Sequence, residues 1–127
     1  EVLPYLKFQG NKNIDLNLEV TINNTKVAQS NFKYMYWNME QQLAHHSVNG
    51  CSVNVGDLMG SGTISGKDQN SYGSLLELSN GGKKLIKLDD GSNRTFLENG
   101  DEVIMSGYCE KEGIRVGFGQ VSGKIIE

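Results

Sequence analysis

The stretch Ile14-Asp15-Leu16-Asn17-Leu18-Glu19-Val20-Thr21-Ile22-Asn23 decides the fold class, because apolar and polar residues alternate in it without a break. Successive side chains of a strand point to opposite faces, so a period of two predicts a β-strand. Ile14, Leu16, Leu18, Val20 and Ile22 then form its buried face. Asn23-Asn24 supplies a turn, since asparagine tolerates left-handed backbone, and residues 25–29 supply a returning strand.

Beyond this hairpin the period changes. Phe32, Met35, Tyr36, Met39, Leu43 and His46 recur at steps of three and four. That spacing predicts one main α-helix from about Asn31 to Asn49. Ser30 or Asn31 is placed to cap its free N–H groups, and Asn49-Gly50 to end it. From Cys51 onward the chain reads as strands again, at residues 58–63, 74–79, 83–88, 95–97, 102–109 and 114–121. Turn-rich residues 54–56, 80–82, 89–93, 99–101 and 110–113 punctuate them. Glycine makes up 16 of the 127 residues, above the roughly 7% average, and Pro4 is the one proline. The expectation is a mainly β protein, a mixed β-sandwich or β-roll of short strands with one main helix.

The bulk properties exclude several function classes. Twelve Lys and Arg against fifteen Asp and Glu give a net charge of −3, and the longest basic run is Lys83-Lys84. A nucleic-acid binder needs a basic patch to neutralise phosphates, and none is present. No apolar run approaches the ~20 residues that span a bilayer, and no secretory leader pattern is visible. Cys51 and Cys109 lack metal-ligand spacing and read as reduced thiols of a cytoplasmic protein. A length of 127 residues is enough for one domain, residues 1–127, with a core of its own. The start at Glu1, without methionine, reads as a piece of a longer protein.

The chemistry is sparse. Zinc-protease, phosphate-loop and nucleophile-elbow motifs are all missing. Gly117-Phe118-Gly119 sits in a strand context and reads as close backbone packing. His45 and His46 are adjacent, and adjacent helical residues point about 100° apart, which does not suit one shared metal. They read as core or helix-end histidines. The aromatic residues Phe32, Tyr34, Tyr36 and Trp37 read as core packing and a subunit interface. The segment at residues 55–77 differs. Val55-Gly56-Asp57-Leu58-Met59-Gly60-Ser61-Gly62-Thr63-Ile64-Ser65-Gly66 presents the Thr63 hydroxyl among small residues that let a ligand approach the backbone. Glu77 follows between Leu76 and Leu78, where apolar neighbours suit a base or the orienter of a base.

These residues resemble the fumarylacetoacetate hydrolase family. Gly56-Asp57-Leu58-Met59-Gly60-Ser61-Gly62-Thr63 is similar to its "GD…GTP.G" segment, with Ile64 where many members have proline. Leu97-Glu98-Asn99-Gly100-Asp101-Glu102-Val103 is similar to its later "L..GD.V" element. Closer likeness to its fumarylacetoacetate-cleaving members comes from Ser30-Asn31-Phe32-Lys33-Tyr34-Met35-Tyr36-Trp37, Gln41-Gln42-Leu43, His45-His46-Ser47-Val48-Asn49-Gly50-Cys51, Ser61-Gly62-Thr63-Ile64-Ser65-Gly66, Leu76-Glu77-Leu78-Ser79, Gly107-Tyr108-Cys109 and Gly117-Phe118-Gly119-Gln120. The likeness runs from about Asn17 to Lys124.

The resemblance implies a hydrolase that splits the carbon–carbon bond of a small-molecule substrate, fumarylacetoacetate, into fumarate and acetoacetate in tyrosine and phenylalanine catabolism. It implies a Mg²⁺ and/or Ca²⁺ cofactor that holds the diketone oxygens, a histidine base oriented by a glutamate, and a homodimer. By position, Thr63 matches the substrate-binding threonine and Glu77 the catalytic glutamate paired with that histidine. The family's histidine, acidic metal ligands and substrate-binding arginine and glutamine match nothing in this chain. Glu110-Lys111-Glu112 has a suggestive spacing but falls in a turn and takes no metal role. Lys67-Asp68-Gln69-Asn70 departs from the family's proline-containing loop. By itself the chain is expected to be inactive and to bind no metal tightly. The alternatives are a non-catalytic β-domain for binding or assembly, and a relative acting on an acylpyruvate.

Overall fold

The structure is a computed structural model that describes residues 1–10 and 13–127. Its main sheet has four antiparallel strands. They are β1 (Asn17–Ile22), β2 (Thr25–Asn31), β5 (Glu102–Lys111) and β6 (Ile114–Lys124), in the order β2-β1-β5-β6. A small second sheet pairs β3 (Ile86–Lys87) with β4 (Asn93–Arg94). The helices are α1 (Met39–Ser47) and the single turn α2 (Leu75–Leu78). Short 3-10 turns lie at Pro4–Leu6, Phe32–Tyr34 and Gln69–Ser71. The protein is mainly β with one main helix, as the alternation predicts.

The first hairpin forms as expected. Asn23 and Asn24 both take positive φ, 47° and 67°, which matches the twist of a two-residue hairpin turn. β1 pairs with β2 from Asn17↔Asn31 to Ile22↔Thr25, with one irregularity at Val20/Thr21. It pairs with β5 without a shift from Asn17↔Tyr108 to Ile22↔Val103. The clean division into a buried and an exposed face is not observed, however. Only Ile22 of β1 is fully buried, and the other five residues are half-covered. Little lies over either face of this sheet to complete the burial.

The helix is shorter than the apolar spacing predicts. Asn31 ends β2, and its side chain accepts from the Lys33 amide, which closes a 3-10 turn at Phe32–Tyr34 rather than an α-helix. Met35 and Asn38 are extended, so helical backbone begins only at Met39. The decisive signal is a capping box. Asn38 Oδ1 accepts from Gln41 N at 2.8 Å, and Gln41 Oε1 accepts from Asn38 N at 3.0 Å. Gln41 Nε2 also donates to the Leu6 carbonyl at 2.6 Å, which ties α1 to the N-terminal turn. The aromatic residues are not a core cluster. Phe32 is buried, whereas Tyr34, Tyr36 and Trp37 are exposed.

Among the described residues the buried apolar set is small: Leu6, Ile22, Ala28, Phe32, Leu78 and Leu88. Leu6 lies against α1, and the chain after α1 passes back beside β2, where Ser30 Oγ donates to the Ile64 carbonyl. Every residue of β6 is exposed. The expected self-sufficient core is therefore only partly formed. Gly117-Phe118-Gly119 also differs from expectation, since nothing packs where a side chain on either glycine would project. Between Ser106↔Gln120 and Tyr108↔Gly117 two residues of β6 oppose one of β5. That is a β-bulge, and Gly119 supplies its left-handed residue at φ 76°.

One carboxylate joins the parts. Asp101, 1% exposed, accepts from Arg94 Nε and Nη2 at 2.9 Å each. It also accepts from the Glu98 amide at 2.9 Å and from Asn23 Nδ2 at 2.7 Å. A buried charge is stable only when paired and hydrogen-bonded, and here both conditions hold. Hydrogen bonding to Arg94 is the main cause that holds the Asp101 carboxyl well below the ordinary 3.8, with help from the Glu98 amide and Asn23, against the opposing effect of burial.

A depressed folded pKa contributes stability that is complete above 3.8 and lost as pH falls towards the folded value. Asp101→Asn keeps the shape but leaves Arg94 only its longer ion pair with the exposed Glu98, at 3.5 Å. It should cost about 2 kcal/mol near neutrality. Chemical denaturation across pH checks this. The wild-type protein should lose stability as pH drops below 3.8, and the variant should lose less over the same interval.

Candidate functional site

Thr63 sits in a stretch with no regular structure, not in the expected strand over residues 58–63. Glycines at 56, 60, 62 and 66 remove the side-chain contacts that stabilise a strand and add backbone freedom. Turn bonds between Asn54 and Asp57 start the segment, and Val55 and Leu58 stand out fully exposed. Order returns next to Thr63. The Ile64 carbonyl accepts from Ser30 Oγ of β2 at 2.8 Å, and the Gly66 amide donates to the Ser71 carbonyl at 2.9 Å. The Thr63 side chain is exposed, and no hydrogen bond among the described residues engages its hydroxyl.

Glu77 also changes setting. The expected strand over residues 74–79 is a single helical turn, α2, with Ser74 at its N-cap. The local signal is Ser-x-x-Glu, which begins helices because serine satisfies a free amide. Here Ser74 Oγ accepts from Glu77 N at 3.3 Å and donates to Glu77 Oε2 at 2.7 Å. Leu78 turns into the core while Leu76 and Glu77 face out. Flanking leucines therefore do not desolvate Glu77, as strand alternation implied.

Ser65 brings the two expected site residues into one neighbourhood. Its hydroxyl, two residues after Thr63, donates to Glu77 Oε2 at 2.8 Å. Ser65 Oγ in turn accepts from the Gly73 amide at 3.0 Å. The backbones pass so closely that a Cβ on Gly73 would lie 2.5 Å from the Ile64 carbonyl oxygen and 3.0 Å from Thr63 Cγ2. Glu77 Oε2 thus takes two hydroxyl donors, and no hydrogen bond among the described residues reaches Oε1. A carboxylate with one oxygen anchored and the other open can hold an incoming N–H in a set direction.

Comparison with known proteins shows the family of the chain. Residues 5–125 match the fumarylacetoacetate (FAA) hydrolase C-terminal family. The chain belongs to that family. It is 52% identical over 130 residues to the fumarylacetoacetase of Mus musculus and to that of Homo sapiens. The Dictyostelium discoideum fumarylacetoacetase is 49% identical over 132 residues. In each case the match covers 98% of this chain and 31% of the relative, so the chain spans about a third of the length of these curated relatives.

Other chemical groups of this FAA hydrolase chain lie apart from Ser65 and Glu77. His45 shares a hydrogen bond with the Tyr5 hydroxyl at 3.0 Å, and His46 lies 3.3 Å from Cys51 Sγ. Both histidines are exposed in the last turn of α1, which agrees with the helix-end reading and not the core one. Glu112 holds positive φ in the β5–β6 turn, so the Glu110-Lys111-Glu112 spacing bends around a hairpin. A groove of about 760 Å³ runs past Asp15, Phe32, Met39 and that turn, but neither Thr63 nor Glu77 lines it. Among the described residues no three His, Cys, Asp or Glu side chains converge as a metal ion requires. The described residues therefore do not fit a complete metal site. No helix of the described residues is long and apolar enough to cross a membrane.

Ser65, Ser74 and Gly73 escape a reading of isolated residues. The Ser-x-x-Glu cap signals Ser74, while Ser65 and Gly73 carry no local signal. Gly73→Ala should force the chain away from Ile64, because the clash is with backbone that cannot rotate aside. Its cost should be about 1–3 kcal/mol. Thermal unfolding of the protein checks the size, and a much smaller loss would show that the close approach relaxes freely.

Proposed function

We propose that this chain forms the C-terminal part of a fumarylacetoacetase, which hydrolyses fumarylacetoacetate to fumarate and acetoacetate. The observation that carries the reading is the Ser65 contact. It joins the loop of an exposed threonine hydroxyl to a carboxylate with one oxygen anchored and one open. The likeness to enzymes named fumarylacetoacetase supports it.

On this reading, Glu77 Oε1 accepts the N–H of a histidine supplied by another part of the full-length protein. That bond sets the ring's orientation and steadies its positive charge as the opposite nitrogen takes a proton from water. The water oxygen attacks a carbonyl carbon of the diketone. The carbon–carbon bond beside it then breaks, its electron pair goes to the acetoacetate carbon as an enolate, and the histidine returns the proton there. Water is consumed and two carboxylic products leave. Thr63 Oγ–H donates to a substrate oxygen and fixes its position. A divalent cation, Mg²⁺ or Ca²⁺, is assigned to residues outside this chain. A homodimer of the full-length protein in the cytoplasm completes the proposal.

A second reading, a non-catalytic assembly domain, draws on the wholly exposed β6 with Ile114, Val116, Phe118 and Val121. Large exposed apolar patches mark contact surfaces. The two readings part on the carboxylate. In the full-length protein, Glu77→Gln should lower kcat on the order of a hundredfold with little change in KM, because it removes an interaction made in the transition state. Thr63→Val should instead raise KM by about tenfold, since it removes a contact made to bound substrate. Steady-state turnover, followed by loss of the diketone's ultraviolet absorbance, checks both. Unchanged kcat in Glu77→Gln would leave the assembly reading standing.

A further inference from the structure

We propose that Ser65 is a positioning residue that acts through Glu77 and sets the direction of its open oxygen. This rests on the proposed function and adds to it a residue that no likeness assigns. One proton sets the geometry. A serine hydroxyl has one hydrogen to donate and lone pairs to accept with. The Gly73 amide points at Ser65 Oγ from 3.0 Å and occupies the accepting side. The hydroxyl hydrogen is therefore turned towards Glu77 Oε2, 2.8 Å away. Ser74 is arranged the same way, since its oxygen accepts from Glu77 N and its hydrogen goes to Glu77 Oε2. Two backbone amides thus orient two hydroxyls, and both hydroxyls converge on one carboxylate oxygen.

The two donors hold the carboxylate from different elements. Ser74 belongs to the same helical turn as Glu77 and would follow it if that turn moved. Ser65 belongs to the Thr63 loop, which Ser30 Oγ anchors to β2 through the Ile64 carbonyl. Ser65 is therefore the bond that references the carboxylate to the main sheet and to the threonine. Losing Ser74 loosens a cap. Losing Ser65 lets the open oxygen drift relative to Thr63, and misplacing a catalytic group costs rate more than affinity.

A double-mutant cycle on the full-length protein tests this, using the parent, Ser65→Ala, Glu77→Gln and the double variant. Ser65→Ala should lower kcat on the order of tenfold, the scale of one hydrogen bond to a charged group. Its KM should stay within about twofold. On a Glu77→Gln background the same change should cost less than about twofold, because the carboxylate through which it acts is gone. Ser65→Thr keeps the hydroxyl and should restore most of the loss. If Ser65→Ala folds poorly, Ser65→Cys replaces it with a weak donor of similar shape and should show the same pattern. Parental kcat in Ser65→Ala, or an equal loss on both backgrounds, would overturn the proposal and leave the role of Glu77 intact. Parental kcat in Glu77→Gln would instead sink the role of Glu77, and this proposal with it.

Discussion

The fold hangs on a single buried carboxylate. Asp101 gathers a side-chain amide from the first hairpin, a guanidinium from β4 and a backbone amide from its own turn. Its backbone carbonyl also accepts from the Ile125 amide beyond β6, and Asn23 Oδ1 accepts from the Glu102 amide. Segments far apart in sequence are thereby held around one charge. Such a centre suits a chain whose apolar interior is small. Directional bonds to an ion specify one arrangement where hydrophobic contact, which has no direction, leaves several open.

Much of this fold is legible in the residues, and each failure has its own physical cause. The first hairpin and the β5–β6 pair follow from alternation and from turn residues, because those signals are local. The helix forms where its periodic residues lie but starts late. Periodicity reports which residues can share a face, whereas the start is set by Asn38 and Gln41 satisfying each other's amides. The expected strands over residues 58–63 and 74–79 fail for opposite reasons. In the first, glycines leave nothing for a neighbour to grip. In the second, Ser74 captures the Glu77 amide and the chain coils before it can pair.

Thr63 and Glu77 stand out in the sequence, but the reason they belong together does not. Fourteen positions separate them, and the link is a serine between Ile64 and Gly66 that no periodicity or charge distinguishes. Ser65 matters because the Gly73 backbone comes close enough to orient it, and a close approach of two loops is a tertiary fact. The roles proposed for the two outer residues come from resemblance to a family. Only coordinates supply the hydroxyl between them.

The tightness at Gly73 also constrains how this region can change over generations. With a Cβ excluded by the Ile64 carbonyl and the Thr63 methyl, almost any replacement must wait until the facing loop has already shifted. A shift large enough to admit it would undo the bond from Ser65. Substitutions on the two loops are therefore expected to be contingent on one another, each tolerated only in the background of another. Variation should reach this corner of the protein in coordinated sets or not at all.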